Sequence, residues 1–265
     1  YLTSKVIISF ITVITLFLIP VKALAVTDEI ESSNNDSIPI SDNHTFSYKQ
    51  LIIPGSLMLY GAIEASHAPK NRLLNYYIGH EAITHRPEKF QIDDITQYVP
   101  VASVYALNLV GIKGKHNFKD RTIILGMASL FTAASVNGLK YTLRVERPDK
   151  SARNSFPSGH TAIAFMGAEF LWQEYKDVSI WYGIAGYTIA AGTGAFRIYN
   201  NKHWVGDVAF GAGIGILSTK LAYWLYPTVE KKIFNGGNKK KKRTNLAFYP
   251  YYTGQQGGLS MTMQF

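Results

Sequence analysis

The feature that most constrains this chain is a succession of apolar stretches, at 51–65, 97–112, 122–139, 161–172, 179–195 and 204–226. Most are too long for strands, and apolar runs of that length are buried as helices. The expected fold is therefore all-α, a six-helix bundle between about Ser47 and Tyr226. Gly206, Gly211, Gly213 and Gly215 recur along the last stretch, and small residues at such spacing let helices approach closely. Two stretches are the weakest as membrane spans: 51–65, which is short and holds Pro54 and Gly55, and 161–172, which holds Glu169. The mixed polar segment 66–96 reads as short helices and loops outside any membrane. No internal repeat is evident.

Composition sharpens the choice of solvent. Charged residues make up 17% of the 265, against about 25% in ordinary soluble domains. The chain carries 17 Tyr and 14 Phe, rings that favour the membrane interface. A large buried helical core gives a similar composition. The net charge of +9 is concentrated in the run Lys239–Arg243, with no nucleic-acid recognition motif beside it. Anionic lipid is therefore the expected partner of that charge, and nucleic acid is not. The absence of cysteine excludes a disulfide framework and a thiolate metal site.

The ends read separately. Lys5, the apolar run Val6–Ile19 and then Ala23-Leu24-Ala25 have the layout of a signal peptide over 1–25. Residues 26–47 read as a polar linker and 48–230 as the helical domain. Residues 231–243, with seven Lys or Arg, read as a basic linker. Residues 244–265 read as a β-hairpin, with strands Leu246–Tyr251 and Gly258–Phe265 around a turn at 254–257.

Three clusters in the second half of the helical domain carry chemistry. In the first, Lys140 and Arg147 are seven residues apart, close to two helical turns, so both cations can share a face, with Pro148 ending the helix. The second is Pro157-Ser158-Gly159-His160. Ser158 is placed to cap a helix and Gly159 permits close backbone approach. The helix start it opens suits a phosphate. In the third, Arg197 precedes His203 and Asp207, which are four apart and share a helix face. A carboxylate on one imidazole nitrogen fixes the tautomer and leaves the other free to attack. Taken together, the clusters supply cations for equatorial oxygens, a nucleophile and a proton donor, the set that phosphoryl transfer requires.

These motifs resemble the signature of the type 2 phosphatidic acid phosphatase (PAP2) superfamily: Lys-x6-Arg-Pro, then Pro-Ser-Gly-His, then Ser-Arg-x5-His-x3-Asp. The match covers residues 140–207, and the flanking helices fit that family's six-helix core. The resemblance implies a phosphatase that uses no metal or other cofactor. By resemblance, Lys140, Arg147 and Arg197 hold phosphate oxygens, and Ser158 and the Gly159 backbone add hydrogen bonds. His203 attacks phosphorus and becomes phosphohistidine, His160 protonates the leaving alcohol, and Asp207 orients His203. One position departs: Phe196 stands where the family usually has Ser. The implied substrate is a phosphorylated lipid such as phosphatidic acid, phosphatidylglycerol phosphate, polyprenyl diphosphate or lipid A.

Positive residues give a topology. Lys113, Lys115, Lys119 and Arg121 lie between two apolar stretches and the 231–243 run follows the last. Both belong on the cytoplasmic side of an inserted chain, which leaves the motifs facing the periplasm. The competing readings are a soluble secreted acid phosphatase, a vanadate haloperoxidase on the same fold, and a non-catalytic envelope scaffold. His80 and His85 are five apart, the wrong spacing for a zinc helix. His44, His67 and His116 have no companions and read as surface residues.

Overall fold

The computed structural model describes residues 47–67, 91–231, 245–252 and 257–264. The candidate signal segment, nearly all of the polar linker, His80, His85 and the basic run beyond Lys231 lie outside them. Chain contacts divide the molecule into two compact units, one through Tyr226 and one from Pro227.

The first unit is helical. A 3-10 turn at Tyr48–Leu51 leads into α1 (Ile52–Ser66), followed by α2 (Asp93–Thr96) and α3 (Val99–Leu109). Then come α4 (Phe118–Leu143), α5 (Gly159–Tyr175), α6 (Ile180–Tyr199) and α7 (Val205–Val229). Each of the six apolar stretches becomes one helix. Pro54 does not break α1, because it falls in the first turn, where a proline removes no helical hydrogen bond. The short α2 is the one described helix that no apolar stretch announces.

Local chemistry sets the ends. The Asn117 side chain accepts the Asp120 N–H at 2.9 Å to start α4, and Ser179 caps α6 by accepting from Trp181 N–H. At the other end of α4, Arg144 takes a left-handed conformation, φ 48°, and stops the helix four residues before Pro148.

α5 is the axis of the bundle. It packs against α3, α4 and, most extensively, α6. Its buried positions lie on every side, from Thr161 and Ala162 through Phe170 to Tyr175. Glu169 is tolerated there because Gln173, Lys220 and Tyr187 all donate to it. The α5–α7 crossing is close because α7 presents glycines. A Cβ at Gly211 would lie 2.5 Å from the Ser158 carbonyl oxygen, and one at Gly215 2.3 Å from that of Ala162. At the end of α5 away from Gly159, Glu174 binds Arg121, His116 and Tyr223. His116 is therefore not the companionless surface residue expected from the sequence.

The second unit contains an antiparallel pair, β1 (Asn245–Tyr252) and β2 (Gly257–Gln264), with Asn245 opposite Gln264 and Tyr252 opposite Gly257.

Candidate active site

The three motif clusters converge at one end of the bundle, where α4 and α6 finish and α5 and α7 begin. His203 precedes α7 by two residues and is 2% exposed. Its Nδ1 lies 2.7 Å from the Ser155 carbonyl oxygen. A carbonyl can only accept, so Nδ1 carries the proton and Nε2 keeps its lone pair. Asp207 Oδ2 stands 3.6 Å from the same Nδ1 and accepts from Ser155 Oγ and from Trp204 N–H. The third helical residue thus bonds the backbone of the residue preceding α7, half of a capping box. Asp207 was expected to hold the imidazole directly. The direct partner is instead the Ser155 carbonyl, with the carboxylate behind it. Burial pushes the His203 pKa down to about 4, against the pull of Asp207, so the ring is neutral above that pH.

The cations gather around this histidine. Lys140 sits in the last turn of α4, and its Nζ donates to the Asn154 carbonyl at 3.1 Å. Arg147 does not share a helix face with Lys140, as its spacing suggested. α4 ends at Leu143 and Arg147 lies in the following loop, with its N–H on the Ala152 carbonyl at 3.0 Å. Two contacts tie that loop to the third motif: Lys202 to Asp149 at 2.7 Å, and Trp204 Nε1 to the Glu146 carbonyl at 3.0 Å. Arg197, in the last turn of α6, is paired with Asp93. The Nε atoms of both Arg147 and Arg197 are buried without a protein partner. Burial and then the Arg197 charge lower the Arg147 pKa, which reflects guanidinium groups crowded together. Buried donors of this kind are suited to an oxyanion.

The second motif contributes differently from its sequence reading. Ser158 stands at the cap position of α5, but its hydroxyl bonds Thr161 Oγ1 at 2.9 Å and makes no capping bond. Its N–H donates to the Asp207 carbonyl at 3.0 Å, joining the second and third motifs. Gly159 and His160 open α5 beside Lys140, whose Nζ lies 4.0 Å from where a Gly159 Cβ would stand. His160 Nε2 lies 2.7 Å from Asp94 Oδ1. Phe196, in place of the usual Ser, is 37% exposed one residue before Arg197.

Three residues here escaped the sequence reading. Asp93 accepts from Arg197 and from Asn200, Asp94 faces His160, and Ser155 holds His203. The available signal was the Asp93-Asp94 pair immediately before the apolar stretch at 97. Asp93, Asp94 and His160 are close enough to share a cation. Asp93 is already engaged by Arg197, and Lys140 lines the same cavity, so the local field disfavours a metal ion.

A cavity of about 660 Å3 opens beside Asp94, Lys140, Gly159 and His160. Tyr98, just before α3, and Val101, Leu125, Val136, Ile163 and Met166, from α3, α4 and α5, give it an apolar wall.

The chain is 43% identical over 138 residues to the lipid A 1-phosphatase of Porphyromonas gingivalis, a match covering 51% of this chain and 31% of that protein. A bacitracin transport permease protein of Bacillus licheniformis is 32% identical over 104 residues, covering 34% of this chain and 49% of that one. The chain thus spans less than half the length of each of these relatives. Among solved structures, a transmembrane PAP2-type phosphatidylglycerolphosphate phosphatase from Bacillus subtilis superposes with TM-score 0.44 at 24% identity. That match covers 68% of this chain and 97% of that one. LpxE from Aquifex aeolicus gives 0.39 at 24% identity, over 63% and 93%. The PAP2 superfamily model matches residues 121–231. That stretch runs from the first turn of α4 through α7 and holds every motif residue described above, so over it this chain resembles the PAP2 superfamily.

Proposed function

We propose that this protein is a membrane-embedded phosphatase that removes phosphate from a lipid through a phosphohistidine on His203. The observation that carries the reading is the join between two environments. Lys140, which stands with Arg147 and Arg197 near His203, also lines, with Gly159 and His160, an apolar cavity large enough for part of an acyl chain. Lipid A 1-phosphate heads the substrates to be tried, because the 43% identical relative bears that name.

The chemistry follows from the geometry. With Nδ1–H held by Ser155, His203 Nε2 attacks phosphorus and the P–O bond to the lipid breaks. His160 gives its proton to the departing oxygen, releasing the lipid alcohol. Asp207 offsets the positive charge that develops on the His203 ring. Water, deprotonated by His160, then cleaves the P–N bond and releases inorganic phosphate. Lys140, Arg147, Arg197 and the α5 N-terminus neutralise the equatorial oxygens in both steps. The Ser158 hydroxyl, when it accepts from Thr161, keeps its own O–H to donate to a phosphate oxygen. The Gly159 backbone leaves room for the phosphate.

Insertion in a bilayer is supported by α4 and α7, both long and apolar enough to cross one. The apolar window of α4 is only 33% buried within the protein. Leu130, Trp181 and Ile52 are 65%, 71% and 65% exposed. A soluble core helix hides such residues, whereas a lipid-facing one displays them. The loop holding Lys113 and Lys115, which leads to Lys119 in the first turn of α4, bonds the α5 end opposite the site, through Lys115 N–H to the Glu174 carbonyl at 3.0 Å. This supports basic residues inside and the site outside, facing the periplasm. Arg121 drops from that charge count because it is buried on Glu174.

The test is phosphate release from lipid A, phosphatidylglycerol phosphate, phosphatidic acid, polyprenyl diphosphate and phenyl phosphate, in detergent with EDTA. The expected result is release from a lipid substrate by wild type and none by His203→Ala. His203 is buried, so the variant should also lose roughly 1–3 kcal/mol of stability through the unpaired Ser155 carbonyl. Its folding is therefore checked by thermal melting. Comparable release by a folded His203→Ala protein would refute the assignment.

A further inference from the structure

Asp94 lies outside every motif, on the short helix α2, yet it makes one of the closest side-chain contacts at the site. Its Oδ1 is 2.7 Å from His160 Nε2. Its neighbour Asp93 is fixed by Arg197 and Asn200, so α2 is anchored and Asp94 is held in place rather than free to swing. Thr96, two residues on, adds a 2.9 Å contact to Thr193 of α6. Asp94 and His160 also line the same cavity mouth with Lys140.

We propose that Asp94 is the positioning residue for the general acid: it fixes the His160 ring through Nε2 and favours its protonated form, so that Nδ1–H faces the leaving oxygen. This rests on the proposed role of His160 as proton donor. The arrangement mirrors His203. There a backbone carbonyl holds Nδ1–H and frees Nε2 as a base. At His160 a carboxylate accepts from Nε2–H and leaves Nδ1 to carry the transferred proton. The two rings need opposite protonation states at the same pH, and their acceptors differ accordingly: a neutral carbonyl in direct contact with one, an anion in direct contact with the other. The charges facing His160 are Arg197 on α6, Lys140 on α4, and Asp93 and Asp94 on α2. Burial and then the Arg197 guanidinium hold the His160 pKa below its ordinary value, and Asp94 and then Asp93 pull against them. Without Asp94, His160 would be surrounded chiefly by cations and its pKa would fall further.

Leaving-group dependence separates this role from a structural one. An alkyl phosphate needs its leaving oxygen protonated, whereas p-nitrophenyl phosphate expels a stable phenolate and does not. kcat/KM for both substrates is measured across pH with the full chain, as wild type, Asp94→Asn, Asp94→Glu and His160→Ala. Asp94→Asn is expected to lower kcat/KM on the alkyl phosphate at least tenfold. It should change p-nitrophenyl phosphate hydrolysis less than threefold, which also reports that the variant is folded. Its alkaline limb should move to lower pH, because removing an anion lowers the His160 pKa, and Asp94→Glu should restore part of the rate. If both substrates fall equally in Asp94→Asn, or neither falls, while His160→Ala discriminates between them, the Asp94 role is overturned and the His160 role stands. If His160→Ala itself shows no leaving-group dependence, both are overturned.

Discussion

Asp207→Asn tests the electrostatic reading most directly, because the substitution keeps the shape and removes the charge. From the sequence alone the expected loss is tautomer control over His203. The geometry changes that expectation. Nδ1–H is already held by the Ser155 carbonyl at 2.7 Å, so the tautomer survives in the variant. What disappears is an anion 3.6 Å from Nδ1. At an effective dielectric of about 20, a full unit charge at that distance is worth about 4–5 kcal/mol. The ring gains roughly half a charge in the transition state for attack, so about 2 kcal/mol of stabilisation is lost at least. Since 1.4 kcal/mol is tenfold, kcat/KM should fall between about 30-fold and 1,000-fold. The assay is phosphate release under subsaturating lipid substrate, beside a thermal melt. The Asp207 carboxylate opposes the burial that depresses His203, so the acid limb of the variant should move below that of wild type. A loss under threefold with a normal melt would refute the role of the charge. A collapsed melt with an unchanged rate per folded molecule would make Asp207 a structural residue.

Two further outcomes follow from the same geometry. In wild type the acid limb of kcat/KM should fall near pH 4, since His203 attacks only when neutral and its pKa is pushed down to about 4. A limb near 6.5, read from a pH–rate profile, would mean the nucleophile is solvated rather than buried. Gly215→Ala should destabilise the protein by roughly 1–3 kcal/mol, as overpacking does, because its Cβ would meet the Ala162 carbonyl oxygen at 2.3 Å. Gly192→Ala, where nothing lies within 4 Å, is the paired control in a thermal melt and should cost nothing.

The parts of this site that were legible in the sequence are those written by local spacing. His203 and Asp207 are four apart, Pro157 to His160 are contiguous, and apolar runs announce helices by length alone. Even there, spacing misleads where the backbone stops being periodic. Lys140 and Arg147 suggested one helix face, but a left-handed Arg144 ends α4 between them, and Arg147 reaches the site from a loop. The illegible parts depend on pairing at long range. Asp93 meets Arg197 at a separation of 104 residues, and Ser155 meets His203 at 48. No periodicity joins such pairs. What marks them afterwards is charge balance. Three cations drawn toward one buried histidine would repel each other, and Asp207 alone cannot offset them. A fold that buries Arg197 at the end of an apolar bundle therefore requires a further carboxylate. The adjacent Asp93-Asp94 pair, on a helix of only four residues, supplies one carboxylate to Arg197 and the next to His160. Placing both on one anchored turn couples the position of Arg197 to that of His160, so under the proposed mechanism a shift of α2 would disturb phosphate binding and leaving-group departure together.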